Sequence, residues 1–369
     1  MSMYRIRSAA WVWHFLEKED WNFLGPRPEE QTPDTVLVKS GAVRGVFRRD
    51  GYYFKVEMPD CRNPLIFWRE VLYPRAAREF WRLFRLQQKG IPVTEPVGFG
   101  QALTVSLLIT REWKNGVAAG DFWQREFVRG NGDPAAFLTA WSCFFRRLYD
   151  SGFVHHDLHN GNLLYRPEDQ SFALVDVCDV RKRHWWSSRR KMHGILGEFA
   201  DRLNRAEMCR LLTDCGLTTP ENADTFRREL LAERGRFAAR HRQKRRKQLF
   251  ANYAKFVQEI DGVIYSLDAA RDPLITPEEL AQCVRLELPE EDAARIREED
   301  LYLTLLRIPH RRVAAFHAPG ILYLEPVSGT VAPEEQEELL ERLTLAGCAA
   351  ENWDFVRDRW NRPQIAWRI

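Results

Sequence analysis

His155-His156-Asp157-Leu158-His159-Asn160-Gly161-Asn162-Leu163-Leu164, followed by Phe172-Ala173-Leu174-Val175-Asp176, is the stretch on which the reading of this chain turns. It reads as two short apolar strands joined by a polar turn over Arg166 to Ser171. Transfer of a phosphoryl group asks a protein for positioning and charge neutralisation more than for covalent chemistry, so few residues suffice if their separations are fixed. Asp157 is placed to accept the proton of an attacking hydroxyl. Asn162 is placed to hold one magnesium, and Asp176, closing the next strand, to bridge the metals. Singly, each has a plainer reading: turn chemistry for the aspartates and asparagine, a structural hydrogen bond for the histidine. Their combined spacing favours phosphoryl transfer.

Such a loop predicts a small sheet upstream that carries a phosphate-binding lysine. Asp34 to Lys39 reads as a strand, Ser40 to Gly45 as a loop and Val46 to Arg49 as a return strand, with Asp50-Gly51 as a hairpin turn. In the third strand, Tyr52 to Glu57, Lys55 follows three aromatics. A strand lysine is ordinarily a solvated edge residue, but this one stands where a lysine would reach nucleotide phosphates. Its carboxylate partner is expected from the helix Ala76 to Gly90, with Phe80, Leu83, Phe84 and Leu86 as the apolar stripe. Glu79 is the candidate and Glu70 the rival; Glu79 is preferred because Gly90-Ile91-Pro92-Val93 then feeds a new strand pair. Only Gly41 and Gly45 stand where a protein kinase shows Gly-x-Gly-x-x-Gly. Lys39, Arg44, Arg48 and Arg49 make this loop and its flanks basic. Either their side chains share the work of backbone amides, or the hairpin has a solvated basic face.

Thr104 to Thr110 reads as a buried strand, leading to Arg111-Glu112-Trp113 at an expected hinge against adenine. Asp133 to Tyr149 reads as an amphipathic helix with Phe137, Leu138, Trp141, Phe144, Phe145 and Leu148 on its core face.

With these elements in place, Arg78 to Leu86, Gly90-Ile91-Pro92-Val93 and Pro96-Val97-Gly98-Phe99-Gly100 resemble bacterial lipopolysaccharide core kinases of the Kdo/WaaP family, over roughly residues 35 to 215. The resemblance places Lys55, Glu79, Asp157 and Asp176 on that family's phosphate-binding, bridging, catalytic and metal-binding positions. It implies ATP and magnesium (Mg2+) as cofactors and heptose or Kdo of the inner core as acceptor, at the cytoplasmic face of the inner membrane. Val177-Cys178-Asp179 follows Asp176 in place of Phe-Gly, and His156 replaces the arginine that many protein kinases use to bind a phosphorylated loop. Neither a long activation segment nor Ala-Pro-Glu follows, so a sugar or glycolipid acceptor is expected over a protein. The His-x-Asp-Leu-His-x-x-Asn form is also similar to aminoglycoside and choline phosphotransferases, and a noncatalytic pseudokinase scaffold is a further alternative.

Arg181 to Lys191, with Trp185-Trp186, reads either as a sugar- and phosphate-binding or membrane-surface segment, or as core tryptophans with a solvated basic face. The basic run Arg240 to Lys247 lies in an expected long helix, Ala223 to Ile260, and offers the same choice. The chain of 369 residues is 45% apolar and 29% charged, which fits a globular protein of two or three domains. A net charge of +3 does not argue for a nucleic-acid partner. Seven scattered cysteines without a Cys-x-x-Cys pair argue against a disulfide framework. The N-terminus is too short in apolar run and too charged for a secretory or transmembrane segment, so a cytoplasmic protein, with peripheral inner-membrane contact open, is expected.

Beyond residue 268, Tyr302 to Ile308 and Arg312 to Phe316 read as strands, Ala318-Pro319-Gly320 as a turn into Ile321 to Pro326, and Pro333 as a helix start. His310, Arg311, Arg312 and His317 read as a solvated strand rim. The expected fold is α+β, a two-lobed protein-kinase-like fold with a small additional C-terminal α+β region. Its expected divisions are an N-terminal extension (1–34), an N-lobe (35–112), a C-lobe (113–267) and an accessory domain (268–369).

Overall fold

The computed structural model describes residues 3–8, 10–17, 24, 35–40, 44–59, 64–184, 190–249, 257–266, 277–317, 320–349, 351 and 353–368. Gly41 and the Trp185-Trp186 pair lie outside them. The chain divides into two compact units, one of residues 1–117, 144–157 and 162–188, the other of residues 118–143, 158–161 and 189–369. Each mixes helix and strand.

The first unit is built on seven antiparallel strands: β1 (Tyr4–Ser8), β2 (Trp11–Phe15), β3 (Val36–Ser40), β4 (Arg44–Arg49), β5 (Tyr52–Glu57), β6 (Pro96–Gln101) and β7 (Ser106–Arg111), in the order β1-β2-β6-β7-β5-β4-β3. Trp13, Phe15, Phe47, Phe54, Leu107 and Ile109 form its core. Gly98 and Gly100 of β6 pair with Phe15 and Trp13 of β2, whose rings lie where a Cβ would stand. Only glycine admits this approach. The hairpin turn at Asp50-Gly51 is formed as its sequence predicts, both residues having positive φ.

Two helices follow β5: α1 (Pro64–Leu72) and α2 (Arg75–Gln88). Pro74 separates them, and its fixed φ ends one helix and starts the next. Ala76, Phe80, Leu83 and Leu86 are the buried face of α2, with Glu79 among them. The catalytic-loop stretch folds as a strand, Phe153–His155, and a hairpin, Leu163–Arg166 with Ser171–Leu174. Leu174 bonds both ways to the segment after α2, to Pro92 O at 3.0 Å and from Thr94 N at 3.2 Å.

The second unit has a five-stranded sheet, ordered Val257–Ile260, Val263–Ser266, Val313–His317, Ile321–Leu324, Val284–Glu287, and a three-stranded sheet of Ser328–Thr330, Trp353–Arg357 and Pro363–Trp367. Its helices include Arg205–Asp214, opened by an Asn204/Glu207 capping box, and Ala223–Leu249, Glu290–Leu306 and Pro333–Ala346. Ile296, Leu303, Phe316, Leu324, Trp353 and Trp367 belong to one core cluster.

Three sequence expectations are corrected here. The helix from Ala223 ends at Leu249, and Val257–Ile260 is a strand paired with Val263–Ser266. The Asp261-Gly262 turn between them, both residues at positive φ, is the hairpin signal the helical reading passed over. Tyr302 to Ile308 is not a strand: its first residues finish the helix Glu290–Leu306, begun by three acidic residues after Pro289 and ended by Arg307 in the left-handed conformation. The His310 group is no solvated rim either. His310 and Asp300 are both buried, and Asp300 Oδ1 receives Arg312 Nε at 3.1 Å and Val313 N at 3.1 Å, with His310 Nε2 at 3.2 Å.

Among the described residues no helix is long and apolar enough to cross a membrane.

Candidate active site

The two-residue turn at Asp50-Gly51 fixes the β4/β5 register, so Val46 faces Lys55 and Arg44 faces Glu57. Phe54 and Val56 point into the core, which sends Lys55 to the opposite face of the strand. Helix α2 carries Glu79 to meet it. Lys55 Nζ lies 2.9 and 2.7 Å from the two Glu79 oxygens and 3.2 Å from Asp176 Oδ1. Glu70, the rival, is taken by Arg75 at 2.6 Å.

Asp176 stands at φ 48° and ψ 66°, a left-handed conformation that aspartate tolerates better than most residues. It follows the strand Ser171–Leu174 and opens the short helical turn Val177–Asp179. Burial alone would raise its carboxyl, but Lys55 and then Arg44 outweigh that and hold it below the ordinary carboxylate range. For Lys55, burial works against the ammonium and the Glu79 carboxylate outweighs it, so its pKa is raised and the charge is secure at neutral pH. Arg44 joins the group, with Nε 2.9 Å from Glu57 Oε1 and Nη1 4.0 Å from Asp176 Oδ2.

Asp157 and Asn162 form a second pair. Asn162 Nδ2 donates to the Asp157 carbonyl at 3.0 Å, while the backbone N–H of Asp157 donates to His155 Nδ1 at 3.2 Å. Asn162 O accepts from Val175 N at 2.9 Å, one residue before Asp176. A continuous path of hydrogen bonds and covalent chain therefore links the backbone of Asp157 to that of Asp176. The Asp157 side chain is exposed, and Asn162 is buried. Asp179, the alternative carboxylate, is exposed and its carbonyl accepts from His156 N at 3.2 Å.

Gly45 lies on β4 opposite Val56. Of the three arginines around the loop, Arg48 binds Glu112 at 2.7 Å, Arg49 stacks over Phe54 and Arg44 reaches Asp176; the Lys39 side chain lies outside the described residues. Glu112, in the expected hinge, also donates its N–H to Gly51 O at 2.7 Å.

Two residues were missed. Glu57 holds Arg44, and the Asp50-Gly51 register was the available signal. Cys178 Sγ donates to Glu79 Oε2 at 3.0 Å, and the carbonyl of Cys178 accepts from Arg82. Burial, then the Glu79 charge, pushes the Cys178 thiol well up, which keeps it protonated and able to donate. No spacing rule marked it, because its contact depends on where α2 lies.

The donor set suits the group such a site would take. Asp176 supplies carboxylate oxygens, and the Asn162 side-chain amide, its nitrogen already donating, keeps its oxygen for a hard cation. Lys55 already rests on the Asp176 carboxylate, so positive charge is accommodated there. Glu57, Glu79 and Cys178 also cluster within metal-ligand reach of one another. Lys55 and Arg44 already neutralise the two carboxylates, and the thiol is held protonated, so that cluster is a poor cation site.

The likeness to WbdD is weak. Its 2.2 Å crystal structure matches with 13% identity and a TM-score of 0.37, over 50% of this chain and 46% of that one. The WbdD complex with the kinase inhibitor LY294002 matches with 14% identity and a TM-score of 0.35, over the same shares. The chain thus spans about half the length of these structures. No curated protein matches. The model of the lipopolysaccharide kinase (Kdo/WaaP) family matches residues 35–206, the span that holds Lys55, Glu79, Asp157, Asn162 and Asp176. That match takes in just under half of the chain, and it makes residues 35–206 similar to the lipopolysaccharide kinase (Kdo/WaaP) family.

Proposed function

We propose that the protein is an ATP-dependent kinase that phosphorylates a sugar hydroxyl, of heptose or Kdo, in the lipopolysaccharide inner core. The observation that carries this reading is the buried Lys55–Glu79 ion pair at 2.7 Å with Asp176 on the same ammonium. Lys55 holds nucleotide phosphates, and Glu79 fixes Lys55 in place. Arg44, steadied by Glu57, adds a second cation where the loop is poor in glycine. Asp157 orients the acceptor hydroxyl and takes its proton as the oxygen attacks the terminal phosphorus and the bond to ADP breaks. Asn162 and Asp176 hold magnesium, which when bound neutralises charge on the phosphate oxygens. In this reading residues 35–112 form the nucleotide lobe and 113–267 the acceptor lobe.

The test is lipopolysaccharide phosphate content, read by mass spectrometry in a deletion strain complemented with wild type or Asp157→Ala. The proposal expects loss of one phosphate in the deletion, return with wild type and no return with Asp157→Ala. Unchanged phosphate content in both the deletion and the Asp157→Ala strain overturns it.

A further inference from the structure

Helices α1 and α2 carry a charge pattern of which the phosphoryl-transfer site uses little beyond Arg82, which donates to the Cys178 carbonyl. Between Pro64 and Thr94 the acids are Glu70 and Glu79 alone, both buried and both paired, to Arg75 and Lys55. The cations are Arg69, Arg75, Arg78, Arg82, Arg85 and Lys89. Those from Arg75 to Lys89 follow a 3-4-3-4 spacing, which puts the four arginines on one stripe of α2 with Lys89 at its C-cap. Like charges at this spacing repel along a helix, and a solvated face ordinarily interleaves acids. Burial and the neighbouring charges of Arg69 and Arg75 lower the Arg78 guanidinium, and burial with Arg181 lowers Arg82. Arg78 Nε is buried without a hydrogen-bond partner. The stripe does not reflect a general basic excess, since the whole chain carries 55 basic and 52 acidic residues.

Beside the cations lies exposed apolar surface. Trp68, Leu72 and Tyr73 are 59%, 70% and 68% exposed, and Met58 and Leu103 flank a shallow depression shared with Val71 and Pro74. Aromatic rings alone would suit stacking on bases. Exposed leucine and methionine have no such use and instead suit insertion at the boundary of headgroups and acyl chains. The rival basic run, Arg240 to Lys247, is already engaged in part: Arg242 stacks on Tyr302, and Arg246 binds Glu298 at 2.5 Å.

We propose that the α1–α2 face docks on an anionic lipid bilayer, with the exposed cations Arg69, Arg85 and Lys89 over the headgroups and Trp68, Leu72 and Tyr73 at the interface. Such a surface combines the two signals that peripheral binding requires, apolar insertion and a polybasic patch.

Vesicle flotation of the full chain tests it. The probes are phosphatidylcholine vesicles, with and without phosphatidylglycerol, at low and high salt. Wild type is expected to float only with phosphatidylglycerol vesicles and to be released by salt. The Arg69→Gln/Arg85→Gln/Lys89→Gln variant removes three exposed cations and keeps the Arg75–Glu70 and Arg82–Cys178 contacts, and should lose about a hundredfold in vesicle affinity. Trp68→Ser/Leu72→Ser should lose binding even at low salt. Unchanged ATP binding and thermal midpoint show that the variants are folded. Equal flotation of the triple variant and wild type overturns the proposal. So does loss of flotation in an Arg240→Gln/Lys244→Gln variant alone, or retention of wild type by single-stranded RNA but not by vesicles.

Discussion

Glu70 and Glu79 are both buried acids on consecutive helices, yet only one can reach Lys55. The sequence pointed to Glu79 through Gly90-Ile91-Pro92-Val93, which follows its helix into a new strand, and the structure puts Glu79 on the buried face of α2 with Phe80, Leu83 and Leu86. No such signal marks Cys178, whose thiol shares Glu79 with Lys55. Removing the ammonium by Lys55→Ala leaves a buried carboxylate uncompensated and takes a charge from the expected phosphate site. Phosphate transfer should fall by about a hundred- to a thousandfold, the scale of losing one preorganised electrostatic donor. A loss under tenfold in a radiolabelled-ATP transfer assay would remove Lys55 from its proposed role. A thiol held protonated by burial and Glu79 reacts slowly with electrophiles. Iodoacetamide at neutral pH should therefore label exposed Cys143 well before Cys178, as peptide mass spectrometry reads directly.

At the scale of elements, β3 to β5, α2, the helix before the catalytic loop and the hairpin ending at Leu174 were legible because each has a local signal, whereas β1 and β2, inside the stretch read as an N-terminal extension, were not. The C-terminal elements were read less well, because burial there overrides local pattern. Tyr302 to Ile308 looks like a strand only until the acidic start at Glu290 is counted with it. Asp300 on that helix is the polar anchor of the following strand, and its burial made the His310 group look surface-like in sequence alone. Burial by itself would raise the Asp300 carboxyl, but Arg312 and His310 outweigh it and lower its pKa. A carboxyl depressed by folding stabilises fully above its unfolded value of about 4, and the contribution disappears as pH falls through the lower folded value. Asp300→Asn should therefore cost about 3–5 kcal/mol near neutrality, and the deficit should shrink as pH falls through the acid range. Urea melts of both proteins at several pH values check this; a deficit that grows on acidification would contradict the assignment.

At the scale of the molecule, the C-terminal hundred residues share a sheet and a core with the chain before them. Val263–Ser266 pairs with Val313–His317, so hydrogen bonding runs across the boundary expected at 267/268. Arginines fasten the same regions together. Arg362 donates to Phe127 O at 2.6 Å and to Val128 O, and Arg342 to Leu203 O and Ala200 O. Phe127 and Val128 end the short helical segment Gln124–Val128 and Ala200 caps Gly194–Phe199, where intrahelical donors run out. Arg129 and Glu325 add an ion pair at 2.7 Å, and Arg307 and Asp201 another at 3.0 Å. Composition could not reveal this, because arginines that serve carbonyls look the same in sequence as arginines that face water. If the contacts fix these regions as one folding unit, a protease site introduced between Asp268 and Thr276 should give two fragments that co-elute on size exclusion and separate only in denaturant. Arg342→Ala/Arg362→Ala removes five carbonyl contacts, Gly130 O included, and should lower the denaturant midpoint by the equivalent of about 2–4 kcal/mol. Fragments that part in native buffer, or a double variant as stable as wild type, would instead make residues 268–369 an independently folding domain.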